Sequence, residues 1–132
     1  MTRAFLVSLV VARTLWGAPT LAHHSFGGTY NVDRQITIKG TIAQLTLRSP
    51  HSFVYVEVED ANGTPQRWTI EGASAQQFAQ QGFDKDAFKI GDPVEIIGNP
   101  SRSPNATRAR LIKITRTTDG RTWGSRAGEV VN

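Results

Sequence analysis

The stretch "QITIKGTIAQLTLRSP" (Gln35–Pro50) determines how the rest of the chain can fold. Apolar and polar residues alternate along its first half, which is the pattern of a half-buried β-strand. The isoleucines between positions 36 and 42 share one face, whereas Leu45 and Leu47 continue on the opposite parity. A change of parity inside one strand requires an extra residue, so we expect a β-bulge near Ala43. A long strand that is bent by a bulge and a glycine can serve two faces of a sheet.

Four further strands and one helix are predicted downstream. The strands cover residues 52–60, 66–72, 93–98 and 107–116, and Asn62–Gly63 predicts a hairpin turn between the first two of them. Between the third and fourth strands of the whole chain, "SAQQFAQQG" (74–82) changes to helical spacing. Ser74 is the expected N-cap of this helix, and Gln77 is its capping-box partner.

The alternation within the strands predicts which side chains face inward. Trp68 and Ile70 are expected in the core, and Ile112 and Ile114 are expected to share one face of the last strand. Three glutamates, Glu57, Glu59 and Glu71, are expected on solvated strand faces.

Three strands, a helix and two strands, with a bent first strand, are the element order of the OB-fold. We therefore predict a mainly β protein, a five-stranded Greek-key barrel with one short helix between strands 3 and 4. An SH3-like barrel or another small β-roll is the alternative. The barrel is expected over residues 23–118, and residues 119–132 are expected to form a flexible tail that Trp123 could dock.

The first 22 residues have the pattern of a secretory signal peptide. A basic start at Arg3 is followed by an apolar run from Ala4 to Ala12 and by a small residue, Ala22, before a polar boundary. The apolar run is shorter than the roughly 20 residues that a membrane-spanning helix needs. We expect cleavage after Ala22, a periplasmic protein without a stable membrane span, and a mature chain that begins at His23.

Charge and composition restrict the classes of partner. The chain has 132 residues, a formal charge of +4 and no cysteine, which excludes disulfides and thiolate metal sites. Loss of Arg3 and Arg13 with the signal peptide lowers the formal charge from +4 to +2. A modest, dispersed charge on an exported protein argues against nucleic acid as the partner. We expect a monomer that binds an envelope ligand or protein.

A further group of residues forms a recognisable pattern along the chain: His23, His24, Ser25, Phe26, Tyr30, Asp33, Lys39, Gly40, Pro50, His51, Trp68, Glu71, Gly91 and Asp92. This pattern resembles that of the DUF6152 family of small exported bacterial proteins of unknown function. The match covers roughly residues 20–118, and Leu47 and Ser49 depart from it, where Trp and Asn are usual. The resemblance implies export but no activity.

The three histidines of the chain form a candidate metal site. A terminal His23 would offer its α-amine and its imidazole to one metal ion, and His51, in the predicted turn between strands 1 and 2, would offer a third nitrogen. This arrangement is a histidine brace, and nitrogen-rich tetragonal sites favour Cu(II). His24 is an independent candidate ligand. The alternative is structural: a solvated terminal histidine pair and a His51 that only closes a turn.

Two other functions remain open at this stage. Phe53, Tyr55 and Tyr30 are candidate ligand-binding residues of a metal-free OB-fold module, although packing explains each of them as well. Catalysis is the least favoured function, because no paired carboxylates, catalytic triad order or nucleotide-binding motif is present.

Overall fold

The structure is a computed structural model that describes residues 26–83 and 86–124. No helix within these two ranges is long and apolar enough to cross a lipid bilayer. The elements, in chain order, are α1 (Phe26–Thr29), β1 (Ile36–Thr46), β2 (Phe53–Glu59), β3 (Pro65–Glu71), α2 (Ala75–Gln80), β4 (Pro93–Pro100), β5 (Arg108–Arg116) and β6 (Thr122–Gly124).

The strands form a closed barrel. Their order in the sheet is β3-β2-β1-β4-β5-β6, and a parallel pairing between β3 and β5 closes the first five strands on themselves. All other pairings are antiparallel. Five strands in this order, with α2 between β3 and β4, are the OB-fold architecture, so the sequence prediction is confirmed.

Strand β1 is shared between two parts of the barrel. Its first half, up to Thr41, pairs with β4, whereas its second half, from Thr41 onward, pairs with β2. A register shift between Ile42 and Gln44 is the bulge that the sequence predicts at Ala43. Gly40 lies at the crossover, where an added Cβ atom would collide with the backbone carbonyl of Glu57. The absence of a side chain at residue 40 therefore lets β2 approach β1 closely.

The core consists of the inward residues of the strands. Val54, Ile70 and Ala109 pair across β2, β3 and β5 and are almost completely buried. Helix α2 begins with the predicted capping box between Ser74 and Gln77. Its buried Phe78 adds an aromatic cluster to the core.

Two inward-facing predictions need correction. Ile112 and Ile114 do not share a face, because a second register shift, opposite Ile97 and Gly98, places an unpaired residue at position 112 of β5. Leu111 and Ile114 are the buried residues instead. Trp68 packs against the core but stays partly accessible.

Residues 119–124 fold onto the barrel. The sequence assigned them to a flexible tail from residue 119, but Thr122–Gly124 form β6 and pair with β5. Trp123 packs edge-on against Phe78 and Phe83, with ring centroids 4.6 and 5.0 Å apart. The docking role predicted for Trp123 is thus confirmed, and the remainder of the predicted tail lies outside the described residues.

The crossover in β1 makes Gly40 a sensitive position. We expect Gly40→Ala to lower the free energy of unfolding by about 1–3 kcal/mol, because the added methyl group must push β2 away from β1. Thr41→Ala, at an exposed position on the same strand, should change it by no more than about 0.5 kcal/mol. Urea denaturation monitored by tryptophan fluorescence measures both variants. Equal effects of the two substitutions would contradict the role assigned to the crossover.

Candidate functional site

Strand register brings an unusual set of residues to the outer face of the barrel. Because side chains alternate along a strand, the residue after the buried Ile70 faces outward, and this residue is Glu71. Glu71 pairs with Phe53 on β2 and with Arg110 on β5. An outward carboxylate, an aromatic ring and an arginine therefore lie side by side on three neighbouring strands.

Glu71 is nevertheless buried, with only 5% of its surface exposed. Its Oε1 atom lies 2.5 Å from Nδ1 of His51. Its Oε2 atom accepts hydrogen bonds from the Tyr30 hydroxyl and from Nη2 of Arg108. The Nε atom of Arg108 also donates to the Tyr30 oxygen, over 2.7 Å. These four residues, which we call the Glu71 cluster, form one continuous hydrogen-bonded network.

The segment that begins with α1 covers Glu71. Asn99, buried in β4, anchors this segment by donating from Nδ2 to the backbone carbonyls of Val32 and Arg34, over 3.2 and 2.7 Å. Tyr30 forms an isolated antiparallel bridge with Ser101. These contacts hold the segment against the outside of the barrel, where the Tyr30 hydroxyl can donate to the Glu71 carboxylate.

The Glu71 cluster forms the floor and walls of an open cleft of about 320 Å³. Phe26 covers one side, with its ring stacked on the His51 ring at a centroid distance of 5.4 Å. The guanidinium of Arg110 lies 4.3 Å from the centroid of the Phe26 ring. The cleft lining is completed by Thr29 and Pro50. Rings and cations thus surround a space that is large enough for a small ligand.

The network keeps Glu71 ionised. Burial alone would raise the pKa of its carboxyl, but hydrogen bonds from Tyr30, Arg108 and His51, together with the charge of Arg108, outweigh burial and lower this pKa below its ordinary value. Burial and the neighbouring carboxylate raise the pKa of the Tyr30 hydroxyl, so Tyr30 remains a proton donor. The pKa of Arg108 is also raised, chiefly by its hydrogen bond to Glu71.

Sequence reasoning located part of this site. His51 lies in the cleft as a candidate ligand, and Tyr30 lines it, but Tyr30 is only 1% exposed and its hydroxyl is bound within the network. The prediction that Glu71 is solvated is wrong, because the α1 segment covers it. Arg108 was not identified as a site residue.

The other predicted site residues fall into two groups. Phe53 and Tyr55 lie half-buried on the outer face of β2, with ring centroids 6.3 Å apart. His23 and His24 lie outside the described residues. Within residues 26–83 and 86–124, no three His, Cys, Asp or Glu side chains are grouped closely enough to hold a metal ion.

The buried carboxylate predicts a pH-dependent contribution to stability. We expect Glu71→Gln to lower the free energy of unfolding by about 2–3 kcal/mol near neutral pH, because it removes the charge that three neighbours bind. The pKa of Glu71 is lower in the folded than in the unfolded chain. Its stabilising contribution is therefore complete above the unfolded-state pKa of about 4.3 and is lost as the pH falls through the lower folded-state value.

Urea denaturation of wild type and variant over a range of pH measures this difference, which should narrow on acidification. Glu57→Gln is the matched control, since Glu57 is an exposed glutamate of the same face and its removal should cost no more than about 0.5 kcal/mol. If both substitutions lower the free energy of unfolding equally, or if the effect of Glu71→Gln does not depend on pH, the assigned role of Glu71 is refuted.

Comparisons with known proteins give a family but no activity. No curated protein matches this chain. Two crystal forms of the mitochondrial single-stranded DNA binding protein Rim1 from S. cerevisiae are similar in structure, at 13% and 12% sequence identity and TM-scores of 0.47 and 0.49. Each alignment covers 64% of this chain and 93% or 92% of Rim1. The model of a family of unknown function, DUF6152, matches residues 10–110, and this chain therefore belongs to that family.

Proposed function

We propose that this chain is an exported β-barrel protein that binds Cu(II) or another divalent metal ion. The ligands would be the α-amine and imidazole of His23, as the mature N-terminus, and the imidazole of His51, with His24 as an alternative donor. The observation that carries the proposal is the contact between Nδ1 of His51 and the buried Glu71 carboxylate, at 2.5 Å.

This contact prepares His51 for metal binding. An ionised carboxylate accepts hydrogen bonds, so the neutral ring carries its proton on Nδ1. The unshared electron pair is then on Nε2, which is the nitrogen left for a ligand. Histidines that bind metals commonly have such a carboxylate partner, which fixes the tautomer, orients the ring and increases its basicity.

In sequence, His23 is close to a residue that contacts His51. Phe26 is stacked on the His51 ring, and His23 precedes Phe26 by three residues. Three residues of extended chain span at most about 10–11 Å, so His23 and His24 are within reach of the cleft. Two nitrogens of His23 and one of His51 would supply three of the donors of a tetragonal Cu(II) site.

The proposal includes export, since only cleavage after Ala22 gives His23 a free α-amine. N-terminal sequencing of the protein recovered from its native host tests this step. We expect the sequence to begin His-His-Ser-Phe. If the recovered protein still carries Ala22, His23 has no free α-amine, and the histidine brace is ruled out.

Cu(II) titration tests the metal site. Protein that begins at His23 should bind one Cu(II) at least about tenfold more tightly than the same protein acetylated at the α-amine of His23, because acetylation removes one of the three nitrogen donors. Glu71→Gln should weaken binding by about 10–100-fold, as expected when the carboxylate partner of a metal-binding histidine is lost. Binding should also weaken on acidification, since protons compete for the same nitrogens.

Lys39→Gln is the control variant, because Lys39 lies on the outside of the β1–β4 part of the barrel and pairs with Glu95 at 3.1 Å. Its Cu(II) affinity should equal that of wild type. Equal Cu(II) affinity of the free and the acetylated His23 protein would refute the brace.

A further inference from the structure

We propose that the outer face beside the cleft is a second site, which binds a short acidic oligosaccharide. The site consists of Arg48, Phe53, Tyr55 and Arg67, which we call the arginine–aromatic face. This face adjoins the cleft of the proposed metal site, but none of its four side chains is a proposed metal ligand.

The arginine–aromatic face is continuous with the cleft. Phe53 pairs with Glu71 in the β2–β3 ladder, so its ring and the Glu71 cluster lie on the same side of the sheet. Tyr55 follows two residues later on the same face, and the two rings are stacked at an angle of 30°. A ligand anchored in the cleft could therefore extend along β2 over both rings.

An arginine guanidinium lies close to each of the Phe53 and Tyr55 rings. Cζ of Arg48 lies 5.4 Å from the centroid of the Phe53 ring, and Cζ of Arg67 lies 5.2 Å from that of Tyr55. Both arginines are exposed. At the cleft end, the Arg108 side chain is 43% exposed. Arg67 already donates from Nη2 to Oε1 of Gln44, over 3.2 Å, and its Nε lies 3.9 Å from Oε1 of Glu57. Arg108 already binds Glu71 and Tyr30. We therefore assign the carboxylate of the ligand to Arg48, because a guanidinium can bind a carboxylate through two parallel hydrogen bonds.

The side chains next to the Phe53 and Tyr55 rings can form hydrogen bonds with sugar hydroxyls. Gln44 and Thr69 flank Tyr55 on the neighbouring strands, and Thr46 flanks Phe53. Amide and hydroxyl groups both donate and accept hydrogen bonds, as sugars do. Aromatic rings offer the flat apolar surface on which the C–H face of a sugar ring can lie.

The distribution of acidic residues favours a saccharide over a nucleic acid. Glu57 and Glu59 continue the outward row of β2 beyond Tyr55, towards the hairpin. A single-stranded nucleic acid carries one phosphate per nucleotide and would bring phosphates against these carboxylates. An oligosaccharide with one uronic acid near the cleft, and neutral sugars over Phe53 and Tyr55, meets cations at one end and avoids repulsion at the other.

Calorimetric titration in the presence of EDTA tests the proposal without interference from metal binding. The probes are a xylo-oligosaccharide that carries one glucuronic acid, the same xylo-oligosaccharide without it, and an oligothymidylate. We expect the acidic saccharide to bind at least about tenfold more tightly than the neutral one, and the oligothymidylate to bind more weakly than either.

Two variants assign the binding to the arginine–aromatic face. Tyr55→Ala should lower the affinity for both saccharides by roughly fivefold to tenfold, because the stacking surface of the ring is lost. Arg48→Gln should remove most of the preference for the acidic saccharide. Lys39→Gln, on the β1–β4 side of the barrel, should leave both affinities unchanged, and thermal unfolding verifies that each variant is folded.

The results that would overturn the saccharide proposal differ from those that would overturn the metal site. Absence of saccharide binding by wild type, equal affinity for the acidic and neutral saccharides, or tighter binding of oligothymidylate would each overturn the proposal. So would a folded Tyr55→Ala protein with unchanged affinity. The Cu(II) titrations are unaffected by any of these results, and failure of Cu(II) binding leaves the saccharide titrations valid.

Discussion

The Glu71 carboxylate is the group on which the organisation of the outer face depends. It is contributed by β3, and it binds Tyr30 from the α1 segment, His51 from the β1–β2 loop and Arg108 from β5. A buried carboxylate is costly unless its oxygens are fully hydrogen-bonded. Because three separate parts of the chain must be in place to satisfy it, Glu71 links the position of the N-terminal segment to that of the His51 loop.

The barrel makes this arrangement possible because it places the strands that carry Glu71 and Arg108 side by side. Sharing of β1 between β4 and β2 closes the sheet, and closure brings β3 beside β5 in parallel. Alternation then sends Ile70 inward and Glu71 outward. The same alternation places Phe53 and Tyr55 beside the cleft. The inner face of these strands therefore forms the core, and the outer face of the same strands carries the candidate sites.

Much of the fold could be predicted from the sequence, because its signals are local. The parity change in β1 predicted the bulge, and Ser74 with Gln77 predicted the start of α2. The bulge at Ile112 was missed, since Leu111, Ile112 and Ile114 are all apolar and give no parity signal. The burial of Glu71 was also missed, because it depends on Tyr30, 41 residues away. The resemblance motif contained the relevant signal, since Tyr30, His51 and Glu71 all lie in it.

By its contact with Nδ1, Glu71 fixes the tautomer and orientation of the His51 ring in the structure proposed for the metal site. Long-range ¹H–¹⁵N NMR correlation spectra of the metal-free protein, mildly above neutral pH, distinguish the two nitrogens of each histidine ring. We predict that His51 carries its proton on Nδ1 and has an unprotonated Nε2. A His51 ring protonated on Nε2, or one that samples both tautomers as a free histidine does, would contradict it.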